Sequence, residues 1–163
     1  MPAIIFLGLA VLCTAIHTLY RRERISILEV FLSYLIFFNI GLVGFLGAYA
    51  HIFMAAEIAK SIGWAPGSPF QFEVAMANLA LGVLGFLAYW FRGLFWMATI
   101  ISCATFLLGD FVGHLIEYSH GDTAPNNIGY YIWINDLFLP ILYLLLLRIY
   151  MKQNNNHNVR SFS

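Results

Sequence analysis

The chain has 163 residues, zero formal net charge, 61% hydrophobic residues and only 10% charged ones. A soluble domain carries about 25% charged residues, so this chain cannot cover itself with a water-compatible surface. It has no basic patch and no acidic tail, which excludes nucleic acid as a partner.

The elements follow in chain order from the rule that a crossing needs about 20 apolar residues. Residues 1–18 are apolar without the positively charged leading region of a secretion signal. They predict a first spanning helix over Pro2–Tyr20, followed by Arg21, Arg22 and Arg24. The second helix, over residues 25–62, would be about 57 Å long at ~1.5 Å per residue. That is too long for one perpendicular crossing, and Gly41, Gly44 and Gly47 are the expected place for a bend. Gly63 can end it as a left-handed cap. In the run from Ser68 to Gln71, the serine reads as a cap, Pro69 as the first helical residue and Gln71 as the close of a capping box. Residues 69–91 then form helix three, and residues 94–118 helix four, which Gly121 can cap. Asn126 or Asn127 can cap helix five, residues 128–151.

The predicted fold is therefore all-α: a five-helix transmembrane domain over residues 1–152, with a disordered cytoplasmic tail over 153–163 whose Asn-rich composition cannot bury a core. Apart from Lys60, the Lys and Arg residues fall in the first loop, at Arg92 and around the C-terminal flank, Arg148, Lys152 and Arg160. That asymmetry puts the N-terminus out and the C-terminus in. Trp90 and Trp96 then mark the inner interface, and Trp64, Tyr130 and Tyr131 the outer one. Helix contacts are expected where small residues recur: Gly41, Gly44, Gly47 and Ala48 on helix two, Ala75, Ala77, Ala80, Gly82 and Gly85 on helix three, and Gly109 and Gly113 on helix four.

Asp110, His114 and Glu117 share an arc of roughly 60° on helix four. Ionisable groups in hydrocarbon are costly and need a reason to be there. Glu73 and Asp136 approach from helices three and five, with His51 and Glu57 as further candidates. By helical rise Asp110 and Asp136 lie at one depth, with Glu73, Glu117 and Glu57 at the rim and His114 between, all in the outer half. Glu29 and His17 belong to the inner half. Carboxylates with imidazole suit a divalent transition metal, iron, manganese or zinc. The pair His114-x-x-Glu117 reverses the order used in carboxylate-bridged di-iron bundles. Protons are a second solution, held on buried carboxylates and relayed or coupled to transport. Interhelical hydrogen bonding by Asp110, Asn135, Asp136 and Glu73 is a third. Cys13 and Cys103 form no disulfide framework or CxxC motif and read as inert buried thiols. No nucleotide loop, HExxH, serine-hydrolase elbow or haem-attachment motif is present.

The run GAYAHIFMAAEIAKSIGWAPGSPFQFEVAMANLALGVLG (47–85), with GDFVGHLIEYSHGDTAPNN (109–127), resembles a family of small bacterial multi-pass membrane proteins of unknown function. The resemblance implies a bacterial inner-membrane address and supplies no activity to carry over. The leading expectation is thus an intramembrane metal site of Asp110, His114, Glu117, Glu73 and Asp136, used in catalysis or metal handling. The alternative is a small proton-coupled carrier, or an accessory subunit of a membrane complex whose polar core is structural. Expected partners are the lipid bilayer and either further copies of the chain or a larger membrane complex.

Overall fold

The computed structural model describes residues 2–20 and 25–160, with side chains described as far as Asn154. Five helices among the described residues are long and apolar enough to cross a membrane. They are α1 (Pro2–Tyr20), α2 (Ile27–Phe53), α4 (Phe70–Leu87), α5 (Leu94–Ser119) and α7, whose apolar crossing is Ile132–Asn154. Two short helices, α3 (Ala55–Ile62) and α6 (Pro125–Ile128), lie in the loops at one end of the bundle. The loop with Arg21, Arg22 and Arg24 lies outside the described residues.

Local chemistry accounts for most of the boundaries. Ser26 caps α2, its hydroxyl accepting from the Glu29 amide at 3.2 Å. Gly63 (φ 90°) ends α3 and Gly121 (φ 92°) follows α5, both in the left-handed conformation that favours glycine. Two expected caps take other roles. Pro69 precedes α4 without a capping side chain, and Gln71 instead donates to the Ala55 carbonyl at 2.5 Å, tying the start of α4 to α3. Pro125 starts α6, which absorbs both Asn126 and Asn127.

The overlong second helix does break, beyond its glycines, although its π-helical irregularity takes in Gly41. It contains a π-helical segment, Ile36–Leu42, and stops at Met54 (φ −122°, ψ 36°), after which α3 starts afresh. Gly41, Gly44 and Gly47 instead receive α4, where Gly82, Gly85 and Asn78 sit against them. Without side chains in the way, two backbones approach closely enough for dispersion to hold them in lipid.

A second π-helical segment, Ile132–Phe138, opens α7, which continues as an α-helix over Leu139–Arg160. The helix is drawn through the Asn-rich segment to Arg160. The buried core joins α2, α5 and α7 through Leu32, Leu35, Ile36, Ile100, Leu139 and Tyr143. α1 packs on α2 and leaves Ile5, Val11, Leu12 and Leu19 exposed, a surface suited to lipid tails.

Gly109 and Gly113 correct the expectation for helix four. Both are exposed, and a Cβ built on either meets nothing within 4 Å. The face of α5 that packs on α7 is the neighbouring one, with Cys103 and Ala104 buried.

Candidate functional site

The polar residues singled out above separate into two groups once folded. Asp110, His114 and Asp136 come together where α5 meets the π-helical start of α7. His114 Nε2 lies 3.9 Å from Asp136 Oδ2, with the two side chains 13% and 2% exposed. Asp110, half-buried one turn along α5, is within electrostatic range of both. Glu117, Glu73 and Glu57 are exposed and stand apart. His51 is half-buried near the end of α2, its Nδ1 buried with no hydrogen-bond partner among the described residues.

This division overturns the metal site. Among the described residues no group of three His, Cys, Asp or Glu side chains could hold a metal ion. The reasons are geometric. Glu117 lies on the exposed end of α5. Glu73 sits on the first turn of α4, which packs chiefly on α2 and only lightly on α5. An iron, manganese or zinc cofactor is therefore not supported by the arrangement of its expected ligands.

Asn127 occupies the position that matters next to His114. It is 1% exposed, and its Oδ1 lies 2.6 Å from His114 Nδ1. Its Nδ2 donates to the Ile62 carbonyl at 3.3 Å, which fixes the amide orientation. An amide oxygen only accepts, so Nδ1 of His114 must carry the proton and donate it. The other ring nitrogen, Nε2, then faces Asp136. Neighbouring contacts brace this hub: Asn126 Nδ2 donates to Ser61 Oγ at 3.4 Å, and Asp122 Oδ1 accepts from the Ala124 amide at 2.8 Å.

Asp136 is held from one side only. Asn135 donates through Nδ2 to Asp136 Oδ1 at 2.7 Å and to the Tyr131 hydroxyl at 3.2 Å. Asp136 Oδ2 is buried with no hydrogen-bond partner among the described residues. The π-helical segment explains how adjacent residues 135 and 136 both turn inward, since its wider turn departs from the ordinary 100° spacing. Sequence reading matched Asp136 to Asp110 by depth and treated Asn127 as a helix cap. Its partner lies on another helix, and no spacing along the chain announces that.

Chemically, His114 Nε2 and Asp136 Oδ2, 3.9 Å apart, are groups that can share one proton. With Nδ1 committed to Asn127, Nε2 offers either a lone pair or a proton to the free carboxyl oxygen. A neutral imidazole matches a protonated acid, and an imidazolium matches a carboxylate. A bare lone pair facing a bare carboxylate in this buried setting would carry an uncompensated charge.

The chain belongs to a family of unknown function, DUF6790, whose family model matches residues 1–156. No curated protein and no solved structure matches the chain.

Proposed function

We propose that this member of the DUF6790 family is a small proton-coupled carrier of the bacterial inner membrane, in which His114 and Asp136 take up and release one proton. The observation that carries the reading is the orphaned Oδ2 of buried Asp136 facing His114 Nε2, while Asn127 holds the opposite ring nitrogen. A purely structural pair would be expected to close its hydrogen bonds, because an unmade buried bond costs about 1–3 kcal/mol. A group that must gain and lose a proton keeps one valence open. The N-out, C-in orientation implied by the Lys and Arg pattern places this pair in the outer half. The Arg92–Glu29 ion pair then marks the inner end.

The direct test is proton uptake by the full chain in lipid nanodiscs after a pH jump between about pH 5 and 8, where imidazole titrates. The expected result is that the wild type takes up about one proton per chain more than His114→Gln or Asp136→Asn, the other four histidines contributing alike to all three. Equal uptake by wild type and both variants would overturn the reading in favour of a structural polar core, as in an accessory subunit of a membrane complex.

A further inference from the structure

Hydroxyl groups on lipid-embedded helices usually satisfy themselves by folding back onto their own helix. Thr14 does so, donating to the Ala10 carbonyl at 2.7 Å, and Thr18 donates to the Thr14 carbonyl at 3.0 Å. Three buried hydroxyls do not. Ser33 Oγ on α2, Thr99 Oγ1 on α5 and Tyr143 Oη on α7 have no hydrogen-bond partner among the described residues. Their residues are 5%, 0% and 1% exposed. Each such group in a folded protein calls for an explanation, and these three lie on the helices that build the buried core.

Thr99 and Tyr143 lie on the faces of α5 and α7 that also carry Asp110 and Asp136, and Ser33 lies on α2, whose Leu32 and Leu35 share their core. On α5, Asp110, Cys103 and Thr99 follow at helical spacing, and Thr99 lies about 16 Å from Asp110 along the axis at ~1.5 Å per residue. On α7, Asp136 is followed by Tyr143 and Tyr150. Electrostatic proximity links Asp136 to Asp110, Asp110 to Cys103, and Cys103 to Tyr143. At the far end Ser33 stands one turn from Glu29, which pairs with Arg92, and Tyr150 is within electrostatic range of both. Polar atoms thus recur from the His114 end to the Arg92 end, along a seam otherwise built of Leu, Ile and Trp.

Resting on the reading of His114 and Asp136 as a proton site, we propose that this seam is a proton path across the membrane. It runs from Asp136 and Asp110 past Cys103, Tyr143 and Thr99 to Ser33 and the Glu29–Arg92 pair. Water entering between these groups completes a hydrogen-bonded file. Each hydroxyl accepts a proton on one side and releases its own on the other, so one proton leaves for each that enters. No electron moves and no covalent bond between heavy atoms changes. The open valences of Ser33, Thr99 and Tyr143 are what such a file requires, since a hydroxyl spent on a backbone carbonyl has no proton to pass.

The test reconstitutes the full chain in liposomes with an entrapped pH dye and drives protons with a potassium diffusion potential. Tyr143→Phe and Thr99→Val keep shape and remove only the hydroxyl. Each is expected to lower proton flux roughly tenfold or more, the scale on which a lost proton-transfer group acts. Neither should change equilibrium proton uptake in nanodiscs or lower the melting temperature, because the removed groups hold no protein hydrogen bond. His114→Gln should lower uptake by about one proton per chain and remove the flux. Normal uptake with flux unaffected by Tyr143→Phe and Thr99→Val, or with no flux in the wild type, overturns the path while leaving the proton site standing. Equal uptake by the wild type and His114→Gln overturns the site itself.

Discussion

Gly44 and Gly82 meet backbone to backbone: a methyl group on Gly44 would lie 2.6 Å from the Gly82 nitrogen and 2.7 Å from the Asn78 carbonyl oxygen. Gly85 is equally confined, its own added carbon falling on the Gly41 main chain. Main chain cannot swing aside as a flexible side chain can. Gly44→Ala should therefore destabilise the protein by about 1–3 kcal/mol, the usual cost of overpacking. Gly109→Ala, on an open face of α5, should be neutral or gain roughly 0.5–1 kcal/mol of helix propensity. Thermal melting of the two variants in the same detergent checks the contrast, and a fall in stability for Gly109→Ala would place a hidden contact on α5.

Asn127 is the residue through which the loops reach His114. Asn127→Ala should release the imidazole from its Nδ1-protonated form, visible as a changed pair of ring ¹⁵N shifts. Stability should fall by about 1–3 kcal/mol, because the half-buried Ile62 carbonyl loses a donor and the His114 Nδ1–H its acceptor. Unchanged ring nitrogens in Asn127→Ala would show that another group sets the tautomer.

Purified in mild detergent, the protein should carry no stoichiometric iron, manganese or zinc, and titration near neutral pH should add none. Glu73→Gln and Glu117→Gln should leave folding and proton uptake unchanged, since both side chains are exposed and apart from Asp136. Elemental analysis showing one tightly held metal per chain, lost in Glu117→Gln, would restore the discarded site.

The Glu29–Arg92 pair bridges α2 and the turn before α5 at 2.5 Å, but its side chains are 23% and 40% exposed. Exposed pairs are worth about 0–1 kcal/mol, so Glu29→Gln should be nearly silent. Arg92→Ala should cost more than Glu29→Gln, because the guanidinium also lies 5.6 Å from the centre of the Trp96 ring. A double-mutant cycle separates the two contributions.

The helices were legible because hydrophobic run length, glycine stops and polar loops are properties of single segments. So was the contact between α2 and α4, since small residues at helical spacing on both chains leave few other uses for them. Gly109 and Gly113 show the limit of that argument: the same pattern faces open space, and which side of a helix finds a neighbour depends on the other helices. Asp110 and Asp136 could be matched by counting rise from the ends. Glu117 and Glu73 could not be removed that way, because depth says nothing about azimuth. Asn127 escaped for a related reason: its work is done across three segments far apart in the chain.

The π-helical opening of α7 bears on how this family can lengthen and shorten. Deleting one residue from an ordinary stretch of α5 would turn everything beyond it by about 100° and carry Asp110 away from Asp136. Ile132–Phe138 already holds a residue more than an α turn needs. A one-residue loss there lets the helix close as regular α, and Tyr143 and Tyr150 keep their faces. The segment is thus the one place in α7 where an indel spares the rest of the helix. What such a loss removes is the simultaneous inward turn of Asn135 and Asp136, so relatives of altered length at this point would retain the bundle and lose the pairing of Asp136 with His114.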